Sequence, residues 1–237
     1  METLHEILSD ENLALMKQHI IFSGLDESEI ITFIRRSKPE YIEVDPMQKI
    51  LLEPGDSRRL GVVISGDVKI FSIDYDGNRS IINSLSDDGS IGTLQFMLEH
   101  YNMMFEIYAA TAGKIILFSP DSLLITDEEN AVVQHKVLVN LMASQRLLFV
   151  NLSQRLVCLS QKSIREKLLK YFQICSENAR SYEINIKLSR EELALYLAVD
   201  RASLSRSLGQ LKREGIIDFK KNHFKILTTQ HFQYYKG

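Results

Sequence analysis

Residues 189–215 read SREELALYLAVDRASLSRSLGQLKREG. Ser189-Arg190-Glu191-Glu192 is a capping box: the serine hydroxyl takes the backbone N–H of the fourth residue, whose carboxylate takes the serine N–H in return. It opens a short helix holding Leu193, Ala194 and Leu197. Ala198-Val199-Asp200 is a tight turn, Asp200 caps a second helix over Arg201–Glu214, and Gly215 ends it in the left-handed conformation. Two short helices joined by about three or four residues make a helix-turn-helix. Ala194 is small where the helices would cross, and Val199, Leu204, Leu208 and Leu211 recur at helical spacing and face inward. Arg201, Ala202, Ser203, Ser205 and Arg206 are left at the exposed start of the second helix, the end that enters a DNA major groove in such motifs. An arginine there can bond guanine O6 and N7 together, for about 1–3 kcal/mol of discrimination. Ser189 and Asp200 complete this candidate surface. Residues Ile216–Lys221 and His223–Ile226 form a hairpin about Asn222, a wing whose Lys220, Lys221 and Lys225 suit phosphates.

Charge agrees with that surface. Residues 160–237 hold 15 Lys and Arg against 8 Asp and Glu, and the rest of the chain holds 13 against 23, within a net charge of −3. A basic part attached to an acidic one implies that only the C-terminal part meets a polyanion. No apolar run approaches about 18 residues, so no membrane partner is expected. The start, Met1-Glu2-Thr3-Leu4-His5-Glu6, is acidic and lacks the apolar core of a secretory signal, which points to the cytoplasm. Cys158 and Cys175 lie 17 residues apart without a CxxC pattern and read as reduced thiols, with a redox switch as the alternative. The six histidines show no ligand spacing, and there is no cysteine cluster for an iron–sulfur site, which needs about four ligands; no metal and no resident cofactor are expected. Without a nucleophile elbow or P-loop, an enzyme is not expected.

Upstream, the first 35 residues read as helical, with a capping box at Asp26-Glu27-Ser28-Glu29 ahead of Ile30, Ile31, Phe33 and Ile34. From Glu40 to about Phe118 the pattern becomes β: Lys49–Leu52, Gly61–Ile64, Val68–Ile73, Ser80–Leu85, Ile107–Ala110 and Lys114–Phe118. Turn pairs at Gly55-Asp56, Gly66-Asp67, Asp76-Gly77 and Asp88-Gly89 separate these runs, as in a sandwich or barrel. Between Ser90 and His100 the β signal lapses, and Ile91 to Leu98 read as a turn and a short helix. Thr126 to Leu159 contain no Gly or Pro and are apolar on more than one side. A helix of that length approaches 50 Å at about 1.5 Å per residue, and it would pack one side on the β region and another on a partner helix. Ser160-Gln161-Lys162 breaks it, and the capping box Ser163-Ile164-Arg165-Glu166 opens a helix to about Cys175. The expected class is α+β in three parts: 1–125, a β domain; 126–159, a long helix; 160–237, a winged helix-turn-helix.

Taken together, the chain resembles the cyclic-AMP receptor protein/FNR family of transcription regulators, over nearly its whole length. Phe22-Ser23-Gly24-Leu25 with Asp26 to Ile30 looks like the family's opening helix. Leu52-Glu53-Pro54-Gly55-Asp56 and Val63-Ile64-Ser65-Gly66-Asp67-Val68-Lys69 look like its β-roll signatures, and 188–217 match its helix-turn-helix. The resemblance implies a cyclic-nucleotide-binding-like jelly roll holding an effector pocket, and a homodimer joined along the long dimerisation helix. Its implied partners are double-stranded DNA and RNA polymerase. Two departures stand out. Family members that bind cyclic nucleotides read Gly-Glu-Leu, then Arg-Ser or Arg-Thr, around ribose and phosphate. Here Gly92-Thr93-Leu94 and Met103-Met104-Phe105-Glu106 stand instead, so a cyclic phosphate would lack its cation and cyclic AMP is not the expected effector. Gly92, Thr93, Leu94 and Gln95, with Met104 and Phe105, would line a more apolar pocket, or else be a packed turn and plain core. In the second helix, Ala202 replaces the family's Glu, which removes an acceptor for cytosine N4 and implies a different operator. The first reading is a regulator gated by an unidentified small effector. The second is a regulator of the same fold with no ligand, controlled by abundance. A protein-binding β-roll is disfavoured by the basic C-terminal part.

Overall fold

A computed structural model describes residues 2–52, 59–86, 89–93, 104–119, 121–124 and 131–228. Helices α1 (Glu2–Ile7), α2 (Asp10–Gln18) and α3 (Glu27–Ser37) come first, with a 3-10 turn at Ile20–Phe22. The capping box of α3 forms as read: Asp26 Oδ1 accepts from the Glu29 N–H, and Glu29 Oε2 from the Asp26 N–H, both at 2.9 Å.

Strands β1 (Glu40–Val44), β2 (Lys49–Ile50), β3 (Leu60–Ser65), β4 (Val68–Ile73), β5 (Arg79–Leu85), β6 (Ser90–Ile91), β7 (Met104–Ala109) and β8 (Gly113–Phe118) build two antiparallel sheets, ordered β1-β8-β3-β6 and β2-β7-β4-β5. Alternation along β3 and β8 sorts two cores. Val63, Ile115 and Leu117 point between the sheets, toward Ile70 and Ile107. Leu60, Val62, Ile64, Ile116 and Phe118 point outward, where Met16, Phe22, Phe33 and Ile34 cover them. Burial on both faces is why β3 is a continuous apolar run rather than an alternating one. The β4–β5 hairpin turns at Asp76-Gly77 as read: Gly77 has φ 82°, and Asp74 accepts the Asp76 and Asn78 N–H groups.

Two strands of the roll are absent from the sequence reading. Ser90–Ile91 pairs with β3 where the β signal lapses; a two-residue strand is too short for period-2 patterning to register. Glu40–Val44 pairs with β8 at a sheet edge, with Glu40 and Glu43 interrupting its apolar pattern. The Gly55-Asp56 turn, Asp88 and the short helix expected before Leu98 lie outside the described residues, apart from Ile91–Thr93.

Helices α4 (Asp121–Leu124), α5 (Ala131–Leu159), α6 (Ile164–Ala179), α7 (Arg190–Tyr196) and α8 (Arg201–Arg213) follow, with strands β9 (Glu183–Asn185), β10 (Ile217–Lys220) and β11 (His223–Ile226). The chain divides into two compact units, Met1–Phe149 and Val150–Gly237. The division falls inside α5, whose last turns, with Arg155 and Cys158 buried, go with the second unit. Along α5, Val133 and Val137 join the outer core of the first unit. Another side carries Val139, Met142, Phe149, Val150, Leu156 and Val157, all exposed, with Met142, Phe149 and Leu156 at intervals of seven. Among the described residues, no helix is long and apolar enough to cross a membrane.

Candidate nucleic-acid interface

The helix-turn-helix forms on the local signals that announced it. Ser189 Oγ accepts from the Glu192 N–H at 3.2 Å, and Glu192 Oε2 accepts from the Ser189 N–H at 2.8 Å. Asp200 accepts from the Ser203 N–H at 2.8 Å, a bond that, first among its causes, holds this carboxyl below the usual range. Between the caps, the turn closes through Val199 N–H to Ala194 C=O at 3.0 Å. Ala198 takes the left-handed conformation there, φ 50°, at about 1–2 kcal/mol for a residue with a Cβ. Leu193, Ala194, Leu197, Leu204, Leu208 and Leu211 are buried, as expected for the inward face. Val199 is only half-buried. Helix α8 ends at Arg213, and Gly215 follows at φ 69°.

Beneath the motif, α7 is held at its C-terminal end by two cations. Arg155 Nε donates to Tyr196 C=O at 3.0 Å, with its guanidinium 5.4 Å from the centroid of the Tyr196 ring. Lys167 Nζ donates to Leu197 C=O at 3.0 Å. Both satisfy carbonyls that a helix end leaves open, and both complement its negative dipole end.

The outer face of α8 presents Arg201, Ala202, Ser205 and Arg206, all exposed. Ser203 is half-buried, and its Oγ accepts from Arg206 Nη2 at 2.7 Å. Asp200, Ser203 and Arg206 thus form one chain of contacts that orients the Arg206 fork along the helix start. Ser189 and Asp200 are exposed but committed to caps. They support the surface more than they extend from it.

The wing is a three-stranded sheet, β10-β11-β9, with a turn at Lys221-Asn222. Lys220 and Lys221 are exposed, and no carboxylate pairs with either among the described residues. Lys225 differs: its Nζ is 2.7 Å from Glu183, its direct cross-strand neighbour on β9. β9 is missing from the sequence reading, and with it the partner that neutralises this lysine. Two contacts fix the wing turn. The Ile186 N–H donates to Asn222 C=O at 2.9 Å, and Arg190 Nη2 donates to Lys221 C=O at 2.6 Å. Arg190 belongs to the capping box, and its contact with the wing is not visible in the sequence.

In the β-roll, Gly92 turns at φ 88°, and a Cβ there would meet Arg59 C=O at 2.4 Å. Thr93 is 4% exposed. Leu94, Gln95 and Met103 lie outside the described residues. Met104 and Phe105 do not share a wall as expected. They are successive on β7, so their side chains take opposite faces. Phe105 packs on the inner core, while Met104 is 65% exposed. Glu106, on the side of Met104, binds Lys49 and Arg79, each at 2.7 Å, and Lys49 is the first cause of its lowered pKa.

One inward group was missed. Asn83 is 6% exposed, opposite Ile70, and its Oδ1 accepts from the Ser84 N–H at 3.0 Å. Its Nδ2 is buried with no hydrogen-bond partner among the described residues. Cys158 and Cys175 are free thiols, pushed up to about 12 and about 11, in each case chiefly by burial, which suits inert packing. Among the described residues, no group of three or more His, Cys, Asp or Glu could hold a metal ion.

Residues 166–233 match the family model of the Crp-like helix-turn-helix domain. Comparison with curated proteins gave no match. Among solved structures, the chain is similar to the c-di-GMP responsive global regulator CLP of Xanthomonas campestris, with TM-score 0.67, 16% identity, and 86% of this chain and 100% of that one covered. A CooA mutant from Carboxydothermus hydrogenoformans gives TM-score 0.66 at 16% identity, covering 96% of this chain and 92% of that one. TTHA1359, a CRP/FNR-family transcriptional regulator from Thermus thermophilus, gives 0.57 at 19% identity, covering 80% and 94%. The chain therefore carries a Crp-like helix-turn-helix domain, at residues 166–233, on the fold of the CRP/FNR-family transcription regulators.

Proposed function

We propose that this chain is a sequence-specific, homodimeric DNA-binding transcription regulator, not an enzyme, gated by a small effector other than cyclic AMP. The observation that carries the DNA reading is the start of α8. Arg201, Ala202, Ser205 and Arg206 stand exposed together, backed by a buried leucine face and flanked by a wing whose Lys220 and Lys221 have no carboxylate partner among the described residues. Arg201, Arg206, Lys220 and Lys221 supply base and phosphate contacts, and Ser203 and Asp200 position Arg206. Lys225 contributes little, because Glu183 already holds it.

Dimerisation is supported by the exposed stripe of α5. A single helix has no use for Met142, Phe149 and Leu156 in water, and intervals of seven suit a partner helix wound about it. RNA polymerase is a further partner in this reading, and the cytoplasm its site of action.

Effector gating is supported by Asn83. A buried donor with no partner among the described residues costs about 1–3 kcal/mol, which an acceptor atom of a ligand would recover. CLP of Xanthomonas campestris is responsive to c-di-GMP, so this fold accommodates small effectors. Thr93 in place of Glu, and Met103 to Glu106 with no cation, argue against cyclic AMP. A roll with no ligand, in a regulator set by abundance, is the second reading.

Selection of duplexes from a random-sequence library with the full-length protein tests the conclusion. Binding should weaken steeply with salt, by a slope of about 0.9 per phosphate contacted, and cyclic AMP should leave it unchanged. Failure to enrich any duplex overturns the DNA reading; a cyclic-AMP response overturns the effector reading.

A further inference from the structure

Both carbonyl groups of the wing turn are taken by the segment that opens the reading head. Ile186 N–H binds Asn222 C=O, and Arg190 Nη2 binds Lys221 C=O at 2.6 Å. The Arg190 guanidinium also lies 4.6 Å from the centroid of Phe224 and 5.2 Å from that of Phe219. Those two rings are direct cross-strand partners on β10 and β11, with centroids 5.2 Å apart. One planar cation at the first residue of α7 therefore grips both strands of the wing and its turn.

Two details show what this grip is for. Lys221 sits at φ 54°, a conformation that residues with a side chain seldom hold unaided. Arg190 Nη1 is enclosed and has no hydrogen-bond partner among the described residues, so this end of the fork is not presented where a phosphate could reach it. The group is spent on the wing, although its place in the motif would suit a direct backbone contact.

We propose that Arg190 is a positioning residue for DNA binding: it holds the wing turn so that Lys220 and Lys221 meet phosphates while the start of α8 lies in the major groove. The proposal rests on the DNA reading above. Lysine cannot substitute, because its ammonium is a point charge without the plane that lies over two rings while donating to a carbonyl.

The test uses full-length protein and a duplex selected by the wild type, with affinity measured over a range of salt. Arg190→Ala and Arg190→Lys should each weaken binding about tenfold or more. Each should also lower the salt slope by about two phosphate contacts, those of Lys220 and Lys221. The double variant Lys220→Ala/Lys221→Ala should weaken the wild type strongly but change Arg190→Ala by less than about twofold, because the wing is already displaced. Should Arg190→Ala fail to fold, as seen in its melting curve, the same cycle is run on Arg190→Lys. Two results overturn the proposal. One is Arg190→Lys binding within about twofold of wild type, as for a plain phosphate contact; the other is full additivity with the double lysine variant. A wild type that selects no duplex overturns the DNA reading itself, before any variant is made.

Discussion

The two units differ in what their exposed cations meet. In the first, Lys49 and Arg79 both end on Glu106, Lys114 ends on Glu11, and Lys136 ends on Glu29. In the second, Arg165, Lys212 and Lys225 are likewise paired, with Glu214, Asp218 and Glu183, but Arg201, Lys220 and Lys221 have no carboxylate partner among the described residues, and Arg206 is oriented by a neutral hydroxyl. Exposed ion pairs stabilise little, about 0–1 kcal/mol each, but they remove charge from the field that a polyanion sees. In the second unit, the cations without such a partner include those at the start of α8 and at the wing turn. What matters to DNA is how many cations have no partner.

That contrast can be broken by experiment. The largest effect should come from Arg206→Ala: about 10–100-fold weaker binding to a selected duplex, with a smaller loss on random duplex. Arg79→Gln in the roll should change both by less than about twofold. Equal losses at Arg206 on the two duplexes would reduce it to a phosphate contact, and a large loss at Arg79 would erase the distinction between the units. Next comes Asn83→Leu. Replacing a buried amide whose Nδ2 has no partner among the described residues should leave the isolated protein about as stable, within about 1 kcal/mol, because the hydrogen bond from the Ser84 N–H is lost as well. It should also abolish any effect of an effector on DNA affinity. A fall in melting temperature well beyond the loss of the Ser84 hydrogen bond would show that Nδ2 has a partner in solution. The smallest effect belongs to Lys225→Ala, expected within about twofold on DNA. A loss matching that of Lys220→Ala would mean that Glu183 releases this lysine when DNA arrives.

The parts of this fold that can be read from sequence are those whose cause lies within a few residues. Capping boxes at Asp26, Ser163 and Ser189 all form, because each needs only a side chain and its own next turn. The leucine face of α8 is legible for the same reason. What escapes is set at long range. β9 is three residues long and exists because β11 pairs with it, some 40 residues on; the Lys225–Glu183 pair escapes with it. Arg190 looks solvated until Phe219 and Phe224 come from the wing. Asn83 faces inward beside a register shift between Ile70 and Phe71, which resets the alternation along β5. Met104 and Phe105 stand together where the resembled family's phosphate-binding pair is expected, but a strand sends neighbours to opposite faces.

Helix α5 is apolar on more than one side, so apolar contact alone would hold it against the first unit with little preference among rotations about its axis. Its polar contacts remove that freedom. Asn140 Nδ2 donates to Ile21 C=O at 3.0 Å and to Ser23 C=O at 2.8 Å, Lys136 binds Glu29, and Ser144 Oγ lies 3.0 Å from Ser90 Oγ. Three residues on successive turns act as an index: their contacts set the phase of the helix and so choose the meridian along which Val139 and Met142 emerge. Ser90, beside the Gly92 turn, supplies one of these contacts, so the roll and the helix phase share a hydrogen bond.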